Sequence, residues 1–181
     1  EVLACSIERW YDAFESVTFT TRIIRLPEDF VDYLQADGIQ VPGPVGDGAG
    51  DSSDSEWGDG GSDSQDGTNF SFPEIEEAVS TAITDLGGAV LPKLNWSAPK
   101  DARWVFSTLK CQTAQDVFTL LKSSDFVAHD LCHGFDDCAN GAGGRTRPDV
   151  FCLALREWRA VDEAGEFRCF VRDRRLRAVS Q

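Results

Sequence analysis

The sequence has no lysine or arginine between Arg25 and Lys93. Fifteen acidic residues occupy that interval, so the formal net charge of −14 is concentrated there and the rest of the chain is close to neutral. Proteins that bind nucleic acids in general need clustered cations to neutralise phosphates, and their net charge is rarely this negative. The charge distribution therefore argues against general nucleic-acid binding.

Long apolar runs, a secretory leader and disulfide-like cysteine spacing are also lacking. No window approaches the roughly eighteen apolar residues of a membrane span, and the first five residues lack the basic-then-apolar layout of a signal peptide. Two of the six cysteines, Cys152 and Cys169, fall in apparent strands, where a reduced thiol packs as a small hydrophobe. We therefore expect reduced thiols, a cytoplasmic monomer and no membrane contact. The other cysteines are Cys5, Cys111, Cys132 and Cys138.

Hydrophobic residues make up 41% of the 181 residues, with five Trp and twelve Phe, which is enough for a folded core. One stretch differs. Residues 43–68 are rich in glycine, serine and aspartate, and such a segment cannot bury enough apolar surface to offset its conformational entropy. We predict a disordered acidic linker there. Within it, Ser53 precedes Glu56 by three positions, which predicts phosphorylation by an acid-directed kinase.

The first half of the chain shows alternating helix and strand patterns. Ser6 is placed to cap a short aromatic helix, and "SVTFTTRII" follows with strand composition. Pro27 and Pro73 each suit the first turn of a helix. The first of these helices carries Phe30, Tyr33 and Leu34 and ends near Gly38, and the second carries an apolar stripe at Ile75, Val79, Ile83 and Leu86 that ends at Gly87 and Gly88.

The second half predicts a strand at "AVLPKL", a helix opened by a Thr113–Asp116 capping box, and a Gly-rich loop over 133–149. Two further strand segments follow, and the second is predicted to be a hairpin that turns at Asp173 and Arg174. Because helices and antiparallel strands fall in separate clusters, the sequence predicts an α+β fold.

The segment "LPKLNWSAPKD", residues 91–101, concentrates unusual side chains after a strand. Strand alternation places Lys93 on the face opposite Pro92 and Leu94, where it can point into a cleft. The short loop Ser97–Ala98–Pro99 suits close approach of an anion, and Lys100 adds a second cation. The alternative is a surface turn with two solvated lysines.

Two later segments carry further candidates. An edge-like strand ending in Arg156, Glu157 and Trp158 offers backbone amides and an aromatic wall to a planar base. Arg168 is interior to a β-rich segment, and a guanidinium there needs a carboxylate or phosphate partner. The alternative is a structural ion pair between Glu166 and Arg168.

Four motifs in this order, "LPKLNWSAPKDARW", "LKSSDF", "LALREW" and "EFRCFVR", resemble the cell division cycle protein 123 family, and "WYDAF" and "LPEDFVDYLQADG" also fit. Members of that family have an ATP-grasp fold. The resemblance implies an incomplete ATP-grasp-like fold with an acidic insertion. It divides the chain into a first-lobe segment (1–42), the linker (43–68), the rest of the first lobe (69–158) and the start of the second lobe (159–181).

The resemblance also implies the ligand and its contacts. ATP is expected to contact residues of the strand-loop motif and of the later strands, while Mg²⁺ ligands are expected beyond residue 181, which leaves this chain with weak nucleotide binding at most. The implied ATP contacts are Lys93, Trp96, Ala98, Lys100, Asp101, Arg156, Glu157, Trp158 and Arg168.

For function, the resemblance implies an ATP-binding, non-catalytic chaperone that docks the gamma subunit of eukaryotic translation initiation factor two and thereby supports translation initiation and the cell cycle. The alternative is an ATP-grasp carboxylate-amine ligase, although no nucleophile is visible. A third possibility is zinc binding within "HDLCHGFDDC", whose spacing is not that of a standard finger, so we favour a solvated loop. The ligand candidates are His129, Cys132, His133 and Cys138.

Overall fold

The computed structural model describes residues 2–36, 38, 42, 70–138 and 145–181. The predicted acidic linker and the predicted phosphorylation site at Ser53 lie outside these residues. In the described part the backbone forms α-helices and antiparallel strands, as the α+β prediction requires. The α-helices are α1 (Ile7–Phe14), α2 (Glu28–Gln35), α3 (Pro73–Asp85), α4 (Ala114–Lys122) and α5 (Asp125–Cys132). The strands are β1 (Thr21–Arg25), β2 (Val90–Lys93), β3 (Cys152–Glu157), β4 (Arg168–Arg172) and β5 (Arg175–Ser180).

Three strands form one antiparallel sheet in the order β1-β3-β2. The residues Cys152 to Leu155 of β3 are at most 1% exposed, because neighbours cover the strand on both sides and both faces. The prediction of an edge-like strand for "LALREW" is therefore wrong. A continuous apolar run is typical of a strand buried on both faces, and that signal outweighs its polar end.

A proline is tolerated in β2 because β2 is an edge strand of the sheet. Pro92 pairs with Leu155, and the flanking bond from Trp158 N to Ala89 O (3.0 Å) sets the alternation along the strand. The missing N–H of Pro92 therefore faces away from β3, where the ladder does not need a donor. At Val90, two backbone bonds of 2.9 Å to Cys111 cover the same edge.

Helices α2, α3 and α4 pack on one face of the sheet and enclose the main core. Its centre is aromatic: the Phe30 ring lies 5.0 Å from Phe72, 5.2 Å from Phe118 and 5.5 Å from Tyr33. A smaller cluster, in which Ile7 and Tyr11 of α1 meet Cys152 and Ala154, lies on the opposite face. Because side chains alternate between faces along β3, this strand contributes to both hydrophobic clusters.

The local signals for helix ends are confirmed in most cases. Pro73 occupies the first turn of α3, and Gly87 and Gly88 adopt φ of 88° and 87°, which ends the helix without a Cβ clash. The Thr113–Asp116 capping box is present at α4. Pro27 differs by one position, because it is the residue preceding α2 and not its first turn.

Helix α5 contradicts part of the solvated loop that was favoured for "HDLCHGFDDC" and ends before the Gly-rich loop predicted over 133–149. His129 and Cys132 belong to it, and the Ser124 hydroxyl caps its N-terminus by accepting the Val127 N–H at 3.2 Å. The neighbouring glycines obscured a short helix whose only deeply buried apolar residues are Val127 and Leu131. Among described residues, no group of three or more histidine, cysteine or acidic side chains could hold a metal ion.

Strands β4 and β5 form a separate hairpin in which all residues are exposed. It turns at Asp173 and Arg174, as predicted. Cys169 is exposed here, so its expected burial is wrong, and Arg168 is likewise not interior. No ion pair joins Glu166 to Arg168 within the described ranges. All six cysteines are free thiols, and none of the described helices is long and apolar enough to cross a membrane.

The hairpin turn stores backbone strain that a substitution can relieve. Asp173 and Arg174 have φ of 53° and 58°, and a tight hairpin turn with two positive φ values favours Asn-Gly. We expect Arg174→Gly to stabilise the hairpin by about 1 kcal/mol, since glycine adopts positive φ without steric cost. Amide hydrogen exchange in β4 and β5 should slow. Arg172→Gly, in the strand itself, is the control and should speed exchange.

Candidate functional site

Lys93 lies on the sheet face that α1 partly covers. The burial of β2 alternates, with Val90 and Pro92 buried and Leu91 and Lys93 half-buried, which confirms the predicted alternation of faces. Burial lowers the pKa of Lys93. The Asp130 carboxylate acts in the opposite direction, while Arg156 and Lys100 lower it further. The tertiary structure therefore brings two other cations close enough to Lys93 to disfavour its charge.

Arg156 shares this face because Lys93 pairs with Ala154, two residues before it on β3. Its Nη2 donates to Thr18 Oγ1 at 2.8 Å, and its guanidinium lies 5.0 Å from the centroid of the Phe19 ring. The Nε atom is buried without a hydrogen-bond partner among described residues. Burial lowers the pKa of Arg156. The described protein groups therefore satisfy the Arg156 guanidinium only in part.

No carboxylate within the described ranges forms an ion pair with Lys93, Lys100 or Arg156. Lys93 and Arg156 are half-buried, whereas Lys100 is exposed. Half-buried cations without a paired anion are uncommon, because desolvation disfavours their charge and repulsion from neighbouring cations adds to that cost. A bound polyanion would relieve both effects. Lys93, Lys100 and Arg156, which we call the cation cluster, therefore form a positively charged group that an anion would stabilise.

The loop after Lys93 is held against helix α5 by Asp130. Asp130 of α5, only 5% exposed, accepts the Ser97 N–H at 2.7 Å, the Ser97 hydroxyl at 2.8 Å and the Trp96 N–H at 3.4 Å. Since these two amides are bound inside the protein, they are not available to an anion. The close approach of the Ser97–Ala98–Pro99 backbone to an anion stays a prediction, but the Ser97 N–H is not a free donor for it.

Asn95 holds the same loop against the sheet. The residue is fully buried, its Nδ2 donates to Ser6 Oγ at 3.0 Å and to Val150 O at 3.1 Å, and its Oδ1 accepts the Cys152 N–H at 3.0 Å. These bonds join the start of α1, the loop and the start of β3. The loop that follows Lys93 is therefore fixed from two sides by buried polar groups.

Three other predicted residues of this segment have structural partners. The Trp96 indole Nε1 donates to Val2 O at 3.0 Å, and Ala98 O accepts the Lys100 N–H at 2.7 Å. Asp101 accepts Ser124 Oγ at 2.6 Å and Asp125 N at 2.7 Å, so its carboxylate holds the N-terminus of α5. Of these residues, Lys100 is the one with an exposed side chain.

The end of β3 offers less than its sequence suggests. The Glu157 N–H donates to Thr20 O at 2.8 Å, and the Trp158 N–H donates to Ala89 O at 3.0 Å, so both amides are used by neighbouring strands. The Glu157 carboxylate accepts two bonds of 3.1 Å from Arg159, which lowers the pKa of Glu157. Arg168, on the exposed hairpin, has no described contact with the cation cluster.

Sequence reasoning missed Asp130, Thr18 and Phe19. Asp130 had no signal of its own, since it lies in the segment assigned to a loop and its partner Ser97 is 33 positions earlier. Thr18 and Phe19 stand in the run "SVTFTTRII", which was treated as strand and not as a wall of the site. Their roles depend on contacts across more than 130 positions of the chain.

Comparison with known proteins gives the family. The D123 family model matches residues 10–181. A translation initiation factor eIF2 assembly protein of Sclerotinia sclerotiorum is 42% identical over 188 residues, which are 99% of this chain and 46% of that protein. Cell division cycle protein 123 of Phaeosphaeria nodorum is 42% identical over 93% of this chain and 46% of its own length.

The backbone agrees with a solved relative. The structure of Cdc123 from Schizosaccharomyces pombe superposes with a TM-score of 0.77 at 38% identity, covering 98% of this chain and 62% of that one. The chain spans about half the length of the curated relatives it matches. The sequence motifs, the backbone and the family model agree, and the chain belongs to the D123 family, which includes cell division cycle protein 123.

Proposed function

We propose that this chain provides the phosphate-binding part of an ATP-dependent factor that promotes assembly of eukaryotic translation initiation factor eIF2 by docking its gamma subunit. The names of its relatives support the role in eIF2 assembly. The observation that carries the nucleotide part is the cation cluster of Lys93, Lys100 and Arg156. Two of its members, Lys93 and Arg156, are half-buried, and none of the three has a described ion-pair partner, which suits the charge of a triphosphate.

The rest of the ligand sphere is assigned by the same chemistry. Phe19, whose ring centroid lies 5.0 Å from the Arg156 guanidinium, and Trp158, which follows β3, are proposed as the aromatic wall on which a planar base would stack. In this proposal Arg168 reaches the phosphates only when the hairpin packs against the first lobe. When bound, Mg²⁺ would neutralise part of the phosphate charge. Its carboxylate ligands are proposed to come from the part of family members that this chain does not span.

Replacing Lys93 by methionine tests the nucleotide part. We expect the Kd of a fluorescent ATP analogue, measured with Mg²⁺ present, to rise about 10- to 100-fold, because a charge-assisted hydrogen bond to phosphate is lost. Lys110→Met, at an exposed lysine, is the matched control and should leave the Kd unchanged. Equal affinity of the two variants would remove the cation cluster from the nucleotide site.

The same variant should be more stable than the wild type at neutral pH. Burial lowers the pKa of Lys93 below its usual value of 10.5, so protonated Lys93 destabilises the folded state below that lowered pKa. The destabilisation disappears as the pH rises towards 10.5. We expect Lys93→Met to gain about 1 kcal/mol at pH 7, and less at pH 10, in urea unfolding. A loss of stability at pH 7 would contradict this account of Lys93.

The partner assignment has its own test. Purified gamma subunit should form a complex with the protein, measurable by analytical ultracentrifugation at low and moderate salt. An acidic factor is expected to bind more weakly as the salt concentration rises, because exposed charges are screened. Absence of a complex at both salt concentrations would overturn the docking proposal and would leave the nucleotide proposal to its separate test.

A further inference from the structure

No strand in the described part of the chain pairs with the outer edge of β1. Flanking bonds from Glu157 N to Thr20 O (2.8 Å) and from Leu26 N to Phe151 O (2.9 Å) set the phase of the β1–β3 ladder. Antiparallel strands alternate between residues bonded to the neighbour and residues whose N–H and C=O face outward. Thr21, Ile23 and Arg25 therefore direct their backbone groups away from β3.

These outward groups lack partners in the described part of the chain beyond one bond. The Thr21 N–H donates to the Tyr11 hydroxyl at 2.9 Å. The N–H and C=O groups of Ile23 and Arg25 have no described hydrogen bond. The opposite edge of the sheet, β2, differs. Pro92 has no N–H to offer there, and the outward backbone groups of Val90 are hydrogen-bonded to Cys111. Of the two edges, β1 is the one prepared for strand addition.

A groove of about 490 Å³ runs between this edge and α3. Its floor includes Ile24, Ala78 and Ala82, and its wall carries the exposed carboxylates of Glu74 and Glu77. The third carboxylate of the groove, Asp85, forms an ion pair with Arg22 (Nε to Oδ2, 3.5 Å). Helix α3 has no lysine or arginine. The groove thus has an apolar floor and a negatively charged wall.

We propose that the β1 edge binds an extended segment of a partner protein that carries lysine or arginine at alternate positions. An added strand would bond to the outward groups of Ile23 and Arg25. Because strand side chains alternate between faces, every second residue would face α3. Basic side chains at those positions complement Glu74 and Glu77, and the apolar floor accommodates their methylene stems.

A second copy of this chain fits the edge poorly. Pairing β1 with β1 across a two-fold axis would place two α3 helices on neighbouring strands, with their carboxylates facing one shared groove. Like charges at that distance oppose association, whereas a basic segment is attracted. The charge of the groove therefore selects a different chain of opposite charge.

The first test uses fluorescein-labelled heptapeptides and fluorescence anisotropy. The probe alternates lysine and valine, a second peptide has the same composition in the order Lys-Lys-Val-Val-Lys-Lys-Val, and a third replaces lysine by glutamate. We expect the alternating lysine peptide to bind at least about tenfold more tightly than either of the others, since it alone satisfies both the period and the charge. Equal binding of the two lysine peptides would overturn strand addition.

The second test removes the outward donor. Ile23→Pro deletes an N–H that the ladder to β3 does not use, and Ile23→Ala is the matched control that shortens the side chain and keeps the donor. We expect the Kd of the alternating peptide to rise about tenfold in the proline variant relative to the alanine variant. If the proline variant does not fold, peptide-induced shifts of the Ile23 and Arg25 amide resonances in the wild type decide. No shift at these amides would overturn the proposal.

The third test concerns the charged wall. Glu77→Lys should weaken binding of the alternating peptide about fivefold or more, while Asp12→Lys, the same change at an exposed site on α1, should have little effect. Equal weakening by both variants would indicate general attraction and contradict a groove-specific contact. Lys93 does not line this groove, so Lys93→Met should leave the Kd of the alternating peptide unchanged. The peptide experiments therefore test the groove separately from the nucleotide proposal.

Discussion

Replacing Asp130 by alanine is expected to lower the free energy of unfolding by about 3 kcal/mol. The carboxylate is 5% exposed and accepts three hydrogen bonds, from the backbone of Trp96 and from the backbone and hydroxyl of Ser97. The substitution leaves these donors without a partner in a place that water reaches poorly. Urea unfolding measures this loss. The control, Asp12→Ala at an exposed carboxylate, should change the free energy of unfolding by less than about 0.5 kcal/mol.

The same substitution should also affect the cation cluster. The negative charge of Asp130 raises the pKa of Lys93 against the effect of burial. Without it, the pKa of Lys93 falls further, so a smaller fraction of the lysine is charged at mildly alkaline pH. Acetylation of Lys93 by a dilute reagent, followed by mass spectrometry, should therefore speed up in Asp130→Ala at pH 8, because the neutral amine reacts. Unchanged reactivity would contradict the electrostatic link between the two residues.

Replacing Phe30 by alanine is expected to cost about 3–5 kcal/mol of stability. The ring is fully buried and contacts the rings of Tyr33, Phe72 and Phe118, so it joins α2, the start of α3 and α4. The cavity cannot close easily, since three rigid rings surround it. Thermal or urea unfolding measures the loss.

The control for Phe30 is Phe167→Ala, because Phe167 is 59% exposed beside the hairpin. It should change stability by less than about 0.5 kcal/mol. The Phe30 cluster lies on the sheet face opposite the cation cluster, so nucleotide affinity of the folded variant should stay within about twofold of the wild type. A loss below 1 kcal/mol would show that the core repacks around the missing ring.

Several local features of the chain were predicted correctly from the sequence alone. The capping box at Thr113, the first-turn proline of α3, the glycines that end it and the turn at Asp173 and Arg174 each depend on a few adjacent residues. Short-range sterics and hydrogen bonds decide such features, so residue type and spacing predict them. The ordered motifs, of which the one around Lys93 is the most specific, likewise identified the family.

Only the tertiary structure decided how distant segments meet. It made β3 the central strand, placed Asp130 of α5 on the loop after Lys93, and brought Arg156 near Lys93 while leaving Arg168 on an exposed hairpin. Strand order and burial of a single carboxylate depend on which surfaces pack together, and the same local pattern is compatible with several packings. The sequence by itself therefore determined the family and most of the helices and strands. Long-range packing determined the site, because its charges are set by neighbours far away in the chain.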